Sequence, residues 1–341
     1  MPEGHSVHRI ALQFARHFVG ERVSTSSPQG RFVEGAGLLD GRTMTASRAV
    51  GKQLFLEFDE ALYLRVHLGI YGAWDFAGSI EQDPVTRSAR GRMGQTGQHG
   101  VETTESETES DDAADARGTV VGEHEDSLAS IGAPRRARLR MGEESSSTEA
   151  LESFPAEPVG QVRVRLLTER AVADLRGPTA CEVLDAAAVE EVIDHLGPDP
   201  LVDDPDEGEE RMLERVRRRR VPIGLLLMDQ SVVSGIGNVY RAELLFRARL
   251  DPHTPGASLP EEVIRDLWRD WRYLLGVGVE TGQMLTMDGL DEEGQRRARR
   301  NRADRHWVYK REGLPCRICG THVVLELAAA RKLYYCPSCQ Q

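Results

Sequence analysis

The chain has 341 residues, 40% of them apolar and 29% charged, which is room for two or three domains of ordinary globular composition. No apolar run approaches the roughly 18 residues of a membrane span, and the sequence does not open on a basic, apolar and small-residue leader, so a cytoplasmic protein with no membrane partner is expected. The net charge of −12 would speak against a nucleic-acid partner if it were evenly spread, but residues 77–160 hold 17 acids against 8 bases while residues 211–341 hold 23 bases against 16 acids.

The apolar residues Val7, Ile10, Ala11, Phe14, Ala15 and Phe18 recur at helical spacing from His5 onward, so an amphipathic helix begins almost at the first residue. His5, Ser6 and His8 read as polar residues of its first turns. The stretch "TMTASRAVGKQLFLEFDEALYLRVHLGIYGAWDF" then alternates between Gly51, Asp59-Glu60 and Gly69, the pattern of a β-meander. From 78 to 160 the composition turns to Glu, Ser, Thr and Gly with almost no aromatic residues. Such a segment cannot bury enough surface to offset its chain entropy, and a disordered acidic insertion is expected there. Strand character returns in "QVRVRLLTERAVADLRG", which would pair with the earlier strands across the insertion. A helix is predicted over "CEVLDAAAVEEVIDHLG", stopped by Gly197 and Pro198. An acidic linker follows, then helical patterns at 209–227, 239–247 and 260–278.

Three stretches carry chemistry. Cys316, Cys319, Cys336 and Cys339 form a C-x₂-C-x₁₆-C-x₂-C arrangement, two thiolate pairs that can close one tetrahedral zinc site. Four thiolates leave no position for water, so one structural Zn²⁺ is expected. The remaining cysteine, Cys181, reads as a small buried residue. Between the pairs, "THVVLELAAARKLYY" is a hairpin with Arg331 and Lys332 near its tip, placed for phosphate contact or simply solvated. In "LLMDQSVVSGIGNVYRAELLF" two helices are joined by a glycine-rich turn, and Asn238 can cap the second helix and donate to a phosphate at its N-terminus. By itself that pattern fits an ordinary helical hairpin equally well. Finally, removal of Met1 would leave Pro2 as a free secondary amine. An α-amino group titrates near 7.7–8.0, so it is a nucleophile at neutral pH, with Glu3 beside it to pass a proton. Taken alone, a proline in second place is an unremarkable chain end.

Together "PEGHS", "GKQLFLEF", "HLGIYGAW", "LGPDPL", "LLMDQSVVSGIGNVYRAE" and the four-cysteine hairpin resemble the formamidopyrimidine-DNA glycosylase and endonuclease VIII family, the opening most of all its endonuclease VIII-like actinobacterial branch. The resemblance runs through nearly the whole chain outside the insertion. It implies an α+β multidomain protein: an N-terminal antiparallel β-sandwich bearing the catalytic helix (1–200, interrupted at 78–160), a helical domain with a helix–two-turn–helix motif (208–300), and a C-terminal zinc-finger β-hairpin (305–341). It further implies a monomeric base-excision-repair enzyme acting on damaged DNA, double- or single-stranded, lying in a cleft between the domains. Carried onto this sequence, Pro2 would attack C1′ and Glu3 would donate the proton at the sugar. Lys52, Asn238 and Arg331 would grip phosphates around the flipped nucleotide, and Ile70 with Tyr71 would fill the vacated stack. Lyase chemistry would then break the strand by β- and δ-elimination. Two departures matter, the first for the elimination chemistry and the second for lesion specificity. "HS" at 5–6 stands where relatives often carry a second glutamate, and "ADLRGPTACE" stands where the oxidised-purine branch carries Arg-Phe-Gly. Oxidised pyrimidines are therefore the expected lesions. Oxidised purines, or a damaged-DNA-binding protein without catalysis, are the alternatives.

Overall fold

The structure, a computed structural model, describes residues 2–80, 129–133, 154–155, 157–158 and 160–341. Two compact units emerge, and they do not follow blocks of sequence. One comprises Met1–Pro2, Arg9–Arg48 and Gln53–Ala186, and the other Glu3–His8, Ala49–Lys52 and Ala187–Gln341.

The first unit is built on a nine-stranded antiparallel sheet of order β6-β5-β8-β7-β1-β2-β3-β4-β9. Its strands are β1 (Arg22–Ser26), β2 (Arg42–Val50), β3 (Gln53–Phe58), β4 (Leu62–His67), β5 (Ala73–Gly78), β6 (Ala129–Gly132), β7 (Val162–Leu167), β8 (Ala171–Arg176) and β9 (Ala180–Asp185). The helix α1 (Gly4–His17) and the residue after it bury most of the predicted stripe: Val7, Ile10, Ala11, Phe14 and Phe18 are enclosed, while Ala15, expected on the same face, is exposed with Leu12. Phe14 packs edge-on against Trp74 and Phe76 of β5 at ring separations of 4.8 and 5.1 Å, which sets the helix on the sheet. A short α2 (Val33–Leu39) follows β1.

The sheet interior carries charge. Asp75 and Asp174 lie directly opposite each other on β5 and β8, a like-charge pairing that is unfavourable by itself. Arg165 holds Asp174 with two hydrogen bonds of 2.7 and 2.8 Å, and Arg176 holds Asp75 at 2.7 Å, so the four groups neutralise one another. Arg176 is thereby committed to the sheet.

Three sequence expectations change. Residues 181–185, predicted as the start of a helix, form β9, paired with β4 throughout. The helix α3 (Ala186–Asp194) begins only where the alanines do. The signals in "ACEVLD" are ambiguous over six residues, and the exposed β4 edge decides. Within the stretch read as disordered, Ala129–Gly132 pair with β5; this short uncharged segment places Ile131 in the core. Most of the rest of 78–160 lies outside the described residues. The helix predicted over 209–227 is broken in two, because Pro222 has no N–H to donate and keeps Val221 out of helical geometry.

The second unit is mainly helical, with α4 (Pro205–Arg217), α5 (Ile223–Leu226), α6 (Asn238–Arg247), α7 (Glu261–Thr281) and α8 (Glu292–Arg300). Asp204 caps α4 by accepting from the backbone of Asp206 and Glu207, with Pro205 in the first turn. Trp268 and Trp271 of α7 are fully enclosed in a core with Tyr240, Leu244 and Leu245 of α6 and with Ile223 and Leu226 of α5. A two-stranded hairpin, β10 (Val324–Ala328) and β11 (Arg331–Tyr335), closes the chain. Among the described residues no helix is long and apolar enough to cross a membrane.

Candidate active site

Glu3 is fully buried, and its partners are backbone amides of the α6 N-terminus, more than 230 residues away in sequence. The N–H groups of Gly237 and Tyr240 donate to Oε2 at 3.0 and 3.3 Å, and that of Val239 donates to Oε1 at 2.9 Å. These are the unpaired donors every helix start presents, and a carboxylate there also meets the positive end of the helix dipole. The N–H of Gly4 donates to the Gly235 carbonyl at 2.9 Å, which ties the chain beside Glu3 to the same turn. Gly237 is required by close approach, since a Cβ there would lie 2.3 Å from the Glu3 carboxyl carbon. The turn itself is folded by Gln230, which accepts from the Gly235 N–H at 3.0 Å and donates to the Ile236 carbonyl at 3.1 Å.

This arrangement corrects the reading of Asn238. It does not cap α6: the capping position is Gly237, and the anion at this helix start is the protein's own Glu3. The Asn238 side-chain oxygen instead accepts from Arg241, whose guanidinium also donates to the Lys332 carbonyl at 2.8 Å and to the Gly224 carbonyl at 3.3 Å. Arg241 is fully buried, and burial lowers its pKa to about 10. It joins α6 to β11, and sequence pattern does not reveal it because an arginine in a helix ordinarily reads as surface.

Lys52 follows Gly51 in the turn between β2 and β3. Gly51 has φ +59°, and a Cβ there would lie 2.7 Å from the Ser234 side chain, so both the turn and the contact require glycine. The Gly51 N–H donates to Asp199 Oδ2 at 2.6 Å, and His8 Nε2 donates to the same oxygen at 2.8 Å. His8 is therefore more than a polar residue of a first helical turn. Burial lowers the Lys52 pKa to about 8; Glu3 opposes that shift and Arg331 adds to it, which places the three charges within electrostatic reach of one another. Arg331 is exposed and opens β11 after a tight turn in which Ala329 and Ala330 both have positive φ, the geometry of a two-residue hairpin. Pro2, buried, directly precedes Glu3.

The four zinc-pattern sulfurs lie within 4.8 Å of one another. Cys316–Cys339 and Cys319–Cys336 are separated by 3.9 and 3.5 Å, against the ~3.8 Å that tetrahedral ligation at ~2.3 Å demands, so the residues fit the ion. Behind the cluster, buried Glu243 of α6 accepts from the backbone of Trp307, Val308 and Tyr309 and from the Thr286 hydroxyl. Ile70 and Tyr71 sit at the β4–β5 turn of the first unit, 57% and 44% exposed. Cys181, expected to be buried, is only half-buried on β9, where desolvation pushes its thiol up to about 12.

A helix–two-turn–helix with a four-thiolate hairpin behind it, and a buried carboxylate next to Pro2, define a zinc-finger DNA-processing protein. Residues 1–112 match the formamidopyrimidine-DNA glycosylase N-terminal domain, residues 196–288 the H2TH domain of that glycosylase, and residues 313–341 the zinc finger found in this glycosylase and in isoleucyl-tRNA synthetase. Endonuclease 8 1 of Mycobacterium tuberculosis is 34% identical over the full length of both chains, and the formamidopyrimidine-DNA glycosylase of Thermus thermophilus is 42% identical over 126 residues, 35% of this chain and 44% of that one. Among solved structures, the Thermus thermophilus enzyme superposes with TM-score 0.61 at 23% identity, covering 99% of this chain and 98% of that one. The Lactococcus lactis enzyme bound to DNA containing an abasic site superposes with TM-score 0.65 at 17% identity, covering 99% of each. The chain belongs to the formamidopyrimidine-DNA glycosylase and endonuclease VIII family, whose members are base-excision DNA glycosylases with abasic-site lyase activity.

Proposed function

We propose that this enzyme excises oxidised bases from DNA, pyrimidines foremost, and cleaves the resulting abasic strand through a covalent link between Pro2 and the sugar. The observation that carries the reading is the burial of Glu3 against three amides of α6, one residue after Pro2. A terminal amine gains directional reactivity when the residue next to it is immobilised, because positioning alone lowers a barrier by several kcal/mol.

The Pro2 nitrogen lone pair attacks C1′. The glycosidic C1′–N bond breaks and the base leaves with the electron pair, taking a proton. The Glu3 carboxylate takes up the proton that the Pro2 nitrogen loses on attack and passes it to the ring oxygen as the C1′–O4′ bond opens, which leaves an iminium ion on Pro2. Loss of a C2′ proton expels the 3′ phosphate, and the conjugated imine so formed loses the 5′ phosphate in a second elimination. Water then releases Pro2. Lys52, Asn238 and Arg331 hold the phosphates on either side of the extruded nucleotide, and Ile70 with Tyr71 occupies the gap in the stack. The four cysteines hold zinc in a structural role, since the ligand set leaves no position for water. The enzyme acts as a monomer in the cytoplasm, at the nucleoid.

The pyrimidine preference is supported by the absence of Arg-Phe-Gly and by the full-length similarity to Endonuclease 8 1 of Mycobacterium tuberculosis. It is tested by single-turnover excision on paired and single-stranded oligonucleotides bearing thymine glycol, 5-hydroxycytosine, 8-oxoguanine or a formamidopyrimidine. Faster release of the oxidised pyrimidines is expected; a tenfold preference for 8-oxoguanine would reverse the assignment.

A further inference from the structure

The segment Leu-Gly-Pro-Asp-Pro-Leu at 196–201 is explained neither by catalysis nor by phosphate contact, yet it holds a fully buried carboxylate, Asp199. Its Oδ2 accepts from His8 Nε2 at 2.8 Å and from the Gly51 N–H at 2.6 Å, and its Oδ1 accepts from the Leu201 N–H at 2.9 Å. The Asp199 N–H in turn donates to Asp203 Oδ2 at 2.7 Å. One side chain thus joins three parts of the chain: the helix that carries Glu3, the turn that carries Lys52, and the linker ahead of α4. The same linker is tied to the glycine-rich turn, because Ser234 donates from its backbone to the Pro198 carbonyl at 3.0 Å and from its hydroxyl to the Gly197 carbonyl at 2.7 Å.

We propose that Asp199, oriented by His8, is a positioning residue that fixes Lys52 relative to Glu3. The inference rests on the reading of Lys52 as a phosphate-binding residue of the reaction. Its physical basis is local. The Gly51 N–H is buried and has Asp199 as its acceptor; without it, an unsatisfied donor costs ~1–3 kcal/mol and the turn reopens to water. His8 donates to the oxygen that also receives Gly51, so it holds the rotamer of Asp199 in which that oxygen faces the turn. The charged groups facing the Lys52 amine are Glu3 and Arg331. A turn that relaxes takes the amine away from both and into solvent.

The chain has 40 arginines but only three lysines, Lys52, Lys310 and Lys332, which makes a direct readout possible. Reductive methylation with ¹³C-formaldehyde gives three lysine signals, and Lys52→Arg identifies the one that matters. We expect Lys52 to titrate near 8 in the wild type and in His8→Gln, whose amide reaches as far as the imidazole Nε2. In His8→Asn, which is too short, and in Asp199→Ala, which removes the acceptor of the Gly51 N–H, it should move up toward the ordinary ~10.4. If Asp199→Ala does not fold, His8→Asn decides alone. A Lys52 midpoint that stays near 8 in a folded His8→Asn protein overturns the proposal. A second arm measures borohydride trapping on abasic-site DNA, where a tenfold slowing in His8→Asn and recovery to within threefold in His8→Gln are expected; equal slowing in both variants overturns the positioning role. Should the wild type itself fail to trap, the functional reading falls while the lysine titration still decides this one.

Discussion

Replacing Gly237 with alanine tests the Glu3 clamp with a single methyl group. Gly237 has φ −121° and ψ −161°, extended backbone that alanine adopts freely, so the substitution is harmless unless something occupies the space. What occupies it is the Glu3 side chain, whose Cδ would lie 2.3 Å and whose Oε1 would lie 2.6 Å from the added methyl. Either the carboxylate leaves or the first turn of α6 shifts, and in both cases at least two of the three amide bonds break. Each hydrogen bond to a charged acceptor contributes ~1.5–3 kcal/mol, so the loss is ~3–6 kcal/mol. Alanine recovers ~0.4–1 kcal/mol by restricting the unfolded chain. The net expectation is a destabilisation of ~2–5 kcal/mol by urea denaturation, with single-turnover trapping slowed ~100-fold because Glu3 and Pro2 lose their fixed position. Gly276→Ala in α7, where a Cβ meets nothing within 4 Å, is the control and should be neutral or slightly stabilising. If Gly237→Ala stays within ~0.5 kcal/mol of the wild type and traps at the wild-type rate, Glu3 is not seated at the α6 N-terminus.

Lys52 makes DNA binding sensitive to mild alkali: with its pKa lowered to about 8, its charge, and the phosphate contact, is present below that pH and lost as pH rises through it. Abasic-DNA affinity measured from pH 6.5 to 9.5 should fall across that range in the wild type and stay level in Lys52→Arg; parallel profiles would refute it. The lowered value also means that the unfolded chain binds the proton more tightly, so folding stability attributable to Lys52 rises between pH ~8 and ~10.4. Cys316→Ser with Cys319→Ser should lose zinc by atomic absorption and unfold the hairpin, because metal affinity at such a site is folding free energy; retained zinc would disprove the ligand set. Glu243→Gln puts an amide where backbone N–H groups point and leaves two of its four bonds without an acceptor, for an expected loss of ~2–4 kcal/mol by denaturant midpoint. A change below ~1 kcal/mol would mean that Glu243 does not anchor residues 307–309.

Local patterns in the sequence were sufficient for some elements and not for others. The α1 stripe, the β3–β4 pair and the cysteine spacing are legible because each is decided within a few residues by period or ligand geometry. The β9 strand is not, since "ACEVLD" carries no decisive period and takes its form from the neighbouring strand β4. Glu3 could be named as a catalytic candidate only from the company of the other motifs. Its seat could not be named at all, because the groups that bind it are backbone amides, which no side-chain pattern displays. The same holds for Asp199, one acid in an acidic linker by composition, whose partners His8 and Gly51 lie 191 and 148 residues away. Asn238 shows the opposite failure: the residue is well suited to cap a helix, and a carboxylate brought by distant chain took the position first.

The most direct measurement is covalent trapping on DNA carrying a single abasic site, using borohydride to reduce any imine between enzyme and sugar. Protein with Met1 removed should become attached, and digestion with mass spectrometry should place the adduct on the nitrogen of Pro2. The same protein with an uncleaved N-terminal extension, its terminal amine buried in a peptide bond, should give no adduct. Equal trapping by the extended protein, or an adduct mapped to one of the three lysines, would contradict a mechanism that runs through Pro2.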